Sequence, residues 1–210
     1  MRLRVVIPLA SALAAILVLS LLPGTAVAGE LIDSDAYGPE IEAYPEYERQ
    51  QRCQPRDDRP GVTGFRDLVL ERYPGTRDGG IVRACHLGGP SLHKEGRAWD
   101  WMLDAGDPDE QAMADEVLEW LLETDEHGNR HAMARRLGVI YIIWDRRIWS
   151  TASPGSWQPY RGASPHTDHV HIAFSDAGAD AKTSYWAPPE DTEELPTWFR
   201  EFLATFGVGS

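Results

Sequence analysis

Three side chains in this sequence have the types and spacing that suit a catalytic metal ion: His93, Asp100 and His171. Two imidazoles and one carboxylate are a common ligand set for zinc, and three protein ligands leave the fourth tetrahedral position open to water. His93 and Asp100 belong to one short segment, in which Gly96 lets the chain fold back tightly. The pattern therefore predicts a catalytic Zn²⁺ site rather than a closed structural one.

A second cluster of polar residues surrounds His171. Asp168 and His169 stand just before it, at the start of a predicted strand over residues 169–174. Side chains alternate along a strand, so His169 and His171 point to the same face and can meet one ion or one substrate. A solvated polar patch is the alternative interpretation of such a pair. His166 belongs to the preceding loop and could line the same cleft.

The elements that must position these residues predict an α+β fold with a small, mostly antiparallel sheet and helices packed on it. Strands are predicted at residues 81–85, 97–102, 139–144, 148–150 and 169–174, and helices at residues 65–73, from 107 onward, at 129–137 and at 193–206. The run Val139–Trp144 is apolar, β-branched and aromatic throughout, which favours a central strand buried on both sides. The segment between residues 151 and 167 is predicted to be a loop.

The N-terminal segment has the layout of a secretory signal peptide. A basic start is followed by an apolar run and by a small-x-small site that ends at Ala28. An uncleaved membrane anchor is the alternative, because the apolar run is long enough to span a bilayer. With cleavage, residues 29–60 form an irregular acidic leader, either disordered or draped over the protein, and residues 61–210 form one domain.

Charge limits the classes of partner. The formal net charge is −13, and cleavage after residue 28 removes Arg2 and Arg4, which makes it −15. An acidic surface of this kind repels phosphates, and no basic stripe offsets it, so nucleic acid is not expected as a partner. We expect a secreted protein that is monomeric and free of the membrane once the signal peptide is removed.

The chain has two cysteines, Cys53 and Cys85. In an exported protein such a pair predicts a disulfide, which would tie the leader to the domain just ahead of His93. Closing a loop of about 30 residues stabilises a fold by roughly 3–4 kcal/mol in the chain-entropy description. Two free thiols or two zinc ligands remain the alternatives.

Two segments carry a family resemblance. Residues 91–100 read Ser-Leu-His-Lys-Glu-Gly-Arg-Ala-Trp-Asp and agree at every fixed position with the S-x-H-x-x-G-x-A-x-D signature of the D-alanyl-D-alanine metallopeptidases. Those enzymes share a fold with the hedgehog signalling domain. Residues 168–171 resemble their second signature, E-x-W-H, with Asp for Glu and Val for Trp. The H-x-H element is also similar to that of lysostaphin-type peptidoglycan endopeptidases.

The resemblance implies a role for each matching residue. It makes His93, Asp100 and His171 the zinc ligands of a hedgehog/DD-peptidase-like fold. It places Asp168 at the position of the general-base Glu, and His169 at that of the histidine that assists catalysis in lysostaphin-type enzymes.

Two further residues are implied on the substrate side. Arg83 precedes the first signature, where relatives carry an arginine that binds a substrate carboxylate. Ser91 belongs to the signature itself and is expected to support its loop by hydrogen bonding.

The function implied is that of an exported, cell-wall-associated zinc peptidase that hydrolyses peptide bonds in peptidoglycan stem peptides or cross-links. A carboxypeptidase and an endopeptidase are both compatible with the residues. Because Asp is one methylene shorter than Glu, the alternative is a zinc-stabilised wall-binding or signalling module without turnover. A zinc amidase or esterase that acts on a non-peptide wall component is a third option.

Overall fold

The expected α+β class is confirmed. A computed structural model describes residue 31 and residues 37–57, 59–187 and 204. A six-stranded antiparallel sheet has the order β1-β2-β6-β3-β4-β5. The strands are β1 (Arg77–Asp78), β2 (Ala98–Met102), β3 (Val139–Trp144), β4 (Arg147–Ser150), β5 (Gln158–Pro159) and β6 (Val170–Phe174), and the helices are α1 (Pro60–Arg72), α2 (Pro108–Leu122), α3 (Ala132–Leu137) and α4 (Asp176–Ala179).

The two faces of the sheet have different partners. Alternation along β2 directs Trp99 and Trp101 into the main hydrophobic core, together with residues of α1, α2 and α3. Ile172 on β6 joins the same core. The opposite face carries Asp100 of β2 and His171 of β6, which Cα pairing sets directly across from each other. The helices therefore support one face and leave the other for the polar residues.

Most predicted elements are present with small shifts at their ends. Helix α2 begins as expected, because the Asp107 carboxylate accepts hydrogen bonds from two backbone N–H groups of its first turn and Pro108 occupies the first helical position. Helix α3 begins at Ala132 rather than at residue 129, because His131 adopts a left-handed conformation with φ of 55°. The segment after β4, predicted as loop throughout, contains the two-residue strand β5.

The strand predicted at residues 81–85 is absent, and this prediction was wrong. The chain pairs with β2 earlier, at β1, and the Gly79 N–H donates to Asp100 O at 2.8 Å. Gly80 then takes a positive φ of 99°, which turns the chain away from the sheet. The turn places the carbonyl of Ile81 against the ring of His93, so the segment positions a site residue.

The leader is draped over the domain in residues 37–57, which we call the strap. Tyr37 is buried at its start, and its hydroxyl donates to Tyr185 O at 3.2 Å. The buried guanidinium of Arg136 donates to the carbonyls of Gly38 and Glu40. Backbone carbonyls of the strap are thus satisfied by side chains of the domain, which fixes a segment without helix or strand.

Farther along, the strap covers a buried ion pair. Glu95 and Arg97 are both buried, and Arg97 Nε donates to Glu95 Oε2 at 2.9 Å. The other oxygen of Glu95 accepts the backbone N–H groups of Gln51 at 2.7 Å and Arg52 at 2.6 Å. Burial alone would raise the pKa of Glu95, yet these hydrogen bonds outweigh it and hold the pKa below its usual range. The strap therefore completes the hydrogen bonding of a buried charge.

The predicted disulfide is confirmed. Cys53 of the strap and Cys85 of the loop before His93 are bonded, with their Cα atoms 5.8 Å apart. The alternatives of free thiols or zinc ligands are therefore excluded for this pair.

Two predictions fall on residues that are not described. The signal peptide, residues 1–28, lies outside the described ranges, and so does the C-terminal helix, residues 193–206, apart from Ala204. Among the described residues, no helix combines the length and the apolar character that crossing a bilayer requires.

Replacing Cys53 and Cys85 together by Ser should lower the free energy of unfolding by about 3–4 kcal/mol, because the disulfide closes a sequence separation of 32 residues. Urea unfolding followed by tryptophan fluorescence measures this change. A reductant should reproduce the loss in the wild type and have no effect on the double variant. Equal stability of the two proteins would contradict the expectation.

Candidate metal centre

Three buried side-chain atoms of the types that bind metals meet on the polar face of the sheet, as the sequence predicted. Asp100 Oδ1 lies 2.8 Å from His171 Nδ1 and 3.1 Å from His93 Nε2, and the two nitrogens are 3.2 Å apart. Asp100 and His171 come from neighbouring strands, and His93 comes from a 3₁₀ turn over Leu92–Glu95. Residues far apart in the chain therefore form one compact triangle of donor atoms.

The turn that carries His93 depends on glycine at one position. Gly96 ends the turn with φ of 64°, in the left-handed region. A Cβ atom there would also collide with the backbone carbonyl of Arg56 in the strap. The folding back that the sequence predicted for Gly96 is thus present, and the close approach of the strap leaves no room for a side chain at this position.

The hydrogen bonds of His93 determine which nitrogen carries its proton. Nδ1 lies 2.8 Å from the carbonyl oxygen of Ile81, which can only accept. This contact assigns the proton of the neutral ring to Nδ1, so Nε2 directs its lone pair at Asp100 and His171. A backbone carbonyl that holds the far nitrogen of a histidine is the usual outer support of a metal ligand.

Tyr141 supports the ring of His171, as the carbonyl of Ile81 supports that of His93. The ring of His171 stacks on Tyr141 of β3, with centroids 5.4 Å apart, and Nε2 lies 3.4 Å from the tyrosine hydroxyl. Nδ1 of His171 can donate a hydrogen bond to Asp100 Oδ1 at 2.8 Å, and when the ring proton is on Nε2 instead, the lone pair of Nδ1 is available to a cation in the triangle. Two lone pairs and a carboxylate oxygen then face one another, an arrangement that a cation neutralises.

The dimensions of the triangle fit a small metal ion. Ligand atoms that bind zinc at about 2.0–2.1 Å with tetrahedral angles lie about 3.3 Å from one another. The observed separations of 2.8–3.2 Å are close to that value. The group of His93, Asp100 and His171 could therefore hold a metal ion.

The ionisation states also suit ligands. Burial lowers the pKa of His171 to about 4, which keeps its imidazole neutral at pH 7. Burial alone would raise the pKa of Asp100, but interactions with His171 and His93 outweigh it, so the pKa lies below its usual range. A neutral imidazole and an ionised carboxylate are the forms that bind metals.

Next to the triangle, Asp168 and His169 form a pair. His169 Nδ1 lies 2.8 Å from Asp168 Oδ1, which accepts the ring proton, and His169 Nε2 lies 3.6 Å from Asp100 Oδ1. The side chain of His169 is 16% exposed and that of Asp168 is 74% exposed. His169 therefore directs a lone pair towards the ligands, whereas Asp168 orients the ring from the solvent side.

His166 belongs to the same cluster, and sequence reasoning gave it too little weight. It is buried, its ring centroid is 4.7 Å from that of His169, and Nδ1 is 2.9 Å from Ser164 O. His166, His169 and His171 form a second group that could hold a metal ion. The His-x-x-His-x-His spacing was the signal in the sequence.

The backbone of His166 has a positive φ of 51°, which is unusual for a residue with a side chain. The β3–β4 turn stabilises this conformation: the N–H of Asp145 donates to His166 O at 2.8 Å, and that of Arg146 to Pro165 O at 2.9 Å. A hairpin turn on a neighbouring strand pair thus fixes the loop that leads into His169 and His171.

The two residues expected on the substrate side have different positions. Ser91 caps the 3₁₀ turn, and its hydroxyl accepts the N–H of His93 at 3.4 Å, so the expected support of the loop is present. Arg83 donates its backbone N–H to His93 O at 3.1 Å. Within the described ranges, no hydrogen bond or ion pair involves the Arg83 guanidinium.

Comparison with known families adds one finding. Residues 56–171, more than half of the chain, match the family model described as VldE, C-terminal domain. The chain belongs to this family. The VldE C-terminal domain match includes every residue of both groups that could hold a metal ion and leaves most of the strap outside. No curated protein and no solved structure matches the chain.

Replacing His93 or His171 by Ala should abolish stoichiometric metal binding at the group of His93, Asp100 and His171, because each change removes one of its three ligands and leaves Asp100 with one imidazole partner. Metal content after dialysis, measured by plasma mass spectrometry, tests this expectation. The exposed residue His86 provides the control, and His86→Ala should retain the metal. Full retention in His93→Ala would show that a different group binds the ion.

Without metal, the protein should lose stability as the pH falls from about 6.5 towards 4. The folded-state pKa of His171 is lowered to about 4, whereas the unfolded chain takes up that proton near pH 6.5, so the decline is at most about 1.4 kcal/mol per pH unit for this group. Above pH 6.5 the group has no effect. Urea unfolding of chelator-treated protein measures the slope, which should be smaller in His171→Asn. Identical slopes would contradict the assignment.

Proposed function

We propose that the protein is an exported zinc-dependent peptidase that hydrolyses peptide bonds in the stem peptides or cross-links of cell-wall peptidoglycan. The observation that carries the proposal is the pairing of two features at one place. The donor atoms of His93, Asp100 and His171 lie within 3.2 Å of one another. An oriented histidine, His169, lies immediately beside it.

Zinc is the ion that the ligand chemistry favours. Two imidazoles with one carboxylate are typical of zinc hydrolases, and this set leaves a coordination position for water. When bound, zinc supplies Lewis acidity, which makes a water molecule more acidic and polarises the carbonyl of the scissile bond. The disulfide is consistent with an oxidising, extracytoplasmic compartment.

His169 is best placed to act as the base. Its Nε2 carries a lone pair on the side of the ligands, and Asp168 holds the opposite nitrogen. In this arrangement His169 accepts a proton from the attacking water and delivers it to the leaving amine, while Asp168 stabilises the imidazolium that forms in between. Asp168 thus serves as the orienting partner of the base. In this role its side chain, one methylene shorter than that of Glu, does not have to reach the attacking water.

The substrate class rests on the two signatures. Residues 91–100 and 168–171 resemble the D-alanyl-D-alanine metallopeptidases and, in the H-x-H element, the lysostaphin-type endopeptidases. A signal-peptide-like N-terminus and an acidic surface agree with an extracytoplasmic enzyme that does not bind nucleic acid.

One observation favours a second candidate. The carboxylate of Asp168 stands where the resembling enzymes carry their catalytic Glu, yet its side chain is largely exposed and faces His169 rather than the ligands. A zinc-stabilised wall-binding or signalling module without turnover would need Asp100 as a ligand but no second carboxylate to act as a general base. The two candidates differ in whether the metal-loaded protein forms products.

Digestion of isolated peptidoglycan and its soluble stem peptides by the zinc-loaded protein tests the proposal. Mass spectrometry should detect products that a chelator suppresses: loss of a terminal residue identifies a carboxypeptidase, and a cut cross-link an endopeptidase. His169→Gln should keep its zinc and lower kcat by about 10²–10⁴-fold, because the base is lost.

Two further variants complete this experiment. Asp168→Asn should reduce kcat less than His169→Gln does, because it removes only the group that orients the base, and His86→Gln should match the wild type. A larger loss in Asp168→Asn than in His169→Gln would make Asp168 the base. Absence of any product from protein that holds zinc would favour the binding module.

A further inference from the structure

The second group of histidines, His166, His169 and His171, shares one residue with the first group. A neutral imidazole has a single lone pair, so His171 can bind only one ion. When that ion lies with His93 and Asp100, the two other members of the second group keep their lone pairs. His166 and His169 are then available to another ion beside the first.

Hydrogen bonds fix the lone pairs of these two rings. His166 Nδ1 lies 2.9 Å from Ser164 O, which can only accept, so the neutral ring carries its proton on Nδ1 and its lone pair on Nε2. The carboxylate of Asp168 has the same effect on His169, whose Nδ1 lies 2.8 Å away. One ring nitrogen from each member of the second group lies within 4.8 Å of the others. Small rotations therefore suffice to bring two imidazoles to one ion.

Asp100 supplies a third donor between the two groups. Its Oδ1 lies 3.6 Å from His169 Nε2, close to the separation of about 3.3 Å between two atoms bound to one tetrahedral zinc. The same oxygen contacts His93 and His171 of the first group. An ionised carboxylate has about four lone-pair sites on two oxygens, enough to serve two ions. Such paired ions lie about 3.5–4 Å apart in proteins.

The ligand types and their exposure define the second ion. Imidazole suits zinc, copper and nickel, whereas magnesium and calcium favour oxygen ligands. The second ion shares Asp100 with the first and is repelled by its charge, so it binds more weakly. The side chain of His169 is 16% exposed, against 3% for His93 and 8% for His171. The weaker site is thus the one that solvent reaches more readily.

We propose that His166, His169 and Asp100 bind a second, weaker zinc ion beside the first, and that this ion inhibits hydrolysis. The inhibition rests on the proposed function, in which His169 accepts a proton from the attacking water. An imidazole whose lone pair is bound to a cation cannot accept that proton. The binding of the second ion does not depend on the reaction.

The first test counts bound zinc. The protein is dialysed against a series of buffered free zinc concentrations at neutral pH, and bound metal is measured by plasma mass spectrometry. The wild type should bind one zinc at low concentration and a second at higher concentration. His166→Asn should keep the first zinc and lose the second, because Asn tolerates the positive φ of 51° but offers no imidazole.

His131→Asn is the matched control. His131 is also a buried histidine with a positive φ, 55°, and it lies outside both groups, so this variant should bind both ions. X-ray absorption of the wild type provides a measurement that needs no variant. Because each ion has two histidines, the average number of imidazoles per zinc should stay at two when the second ion enters. A fall towards one would place that ion on surface carboxylates and overturn the proposal.

The second test follows cleavage of soluble stem peptides over the same zinc series. In the wild type and in His131→Asn, the rate should fall by about 10²–10⁴-fold as the second site fills, the factor expected for loss of the base. In His166→Asn the rate should stay at its own maximum. Magnesium at the same concentrations should not inhibit any of the three proteins.

Several outcomes would contradict the proposal. It is overturned if the wild type never binds more than one zinc, or if His166→Asn binds both ions as the wild type does. A second zinc that needs His166 but does not slow cleavage would overturn the inhibitory role. If the protein holds zinc and cleaves nothing at any concentration, the proposed function fails. In that case the zinc count and the number of imidazoles per zinc alone decide the second site.

Discussion

The antiparallel pairing of β2 with β6 is the constraint on which the rest of the site depends. It sets Asp100 directly across from His171, and β3 places Ile143 across from His171 on the other side. A shift of one residue in this register would turn Asp100 into the helix-covered core and bring a tryptophan to the polar face. The paired tryptophans of β2, packed under α1, therefore hold the register as well as the core.

This register brings the imidazole nitrogens of His93 and His171 and the carboxylate of Asp100 together in a buried place. Neighbouring groups hold the histidines of this cluster in position. Ile81 O holds His93, the hydroxyl of Tyr141 lies at the far side of His171, and the β3–β4 turn fixes the backbone of His166. None of these supports is itself a ligand. They restrict the rings, so the order that a bound ion would require of them is already present.

The sequence predicted that His93, Asp100 and His171 come together, because their chemistry and local spacing are explicit. It also predicted β2, β3, β6 and the cap of α2, where alternation or capping residues are strong. It failed at residues 81–85, because a β-branched run after two glycines resembles a strand until the positive φ of Gly80 is known. It undervalued His166, since the contact that fixes its loop comes from a hairpin turn about 20 residues earlier in the chain. Such long-range hydrogen bonds leave no periodic trace in a sequence.

The contact between strap and domain bears on what counts as a domain in this family. The match begins at residue 56, but Glu95 takes two backbone hydrogen bonds from Gln51 and Arg52, and Gly96 lies against the strap at Arg56. A fragment cut at the family boundary would leave a buried carboxylate oxygen without its donors. The contacts that stabilise the matched domain thus extend beyond the matched residues. The donors that satisfy the Glu95 carboxylate lie in a part of the chain that the family model does not match.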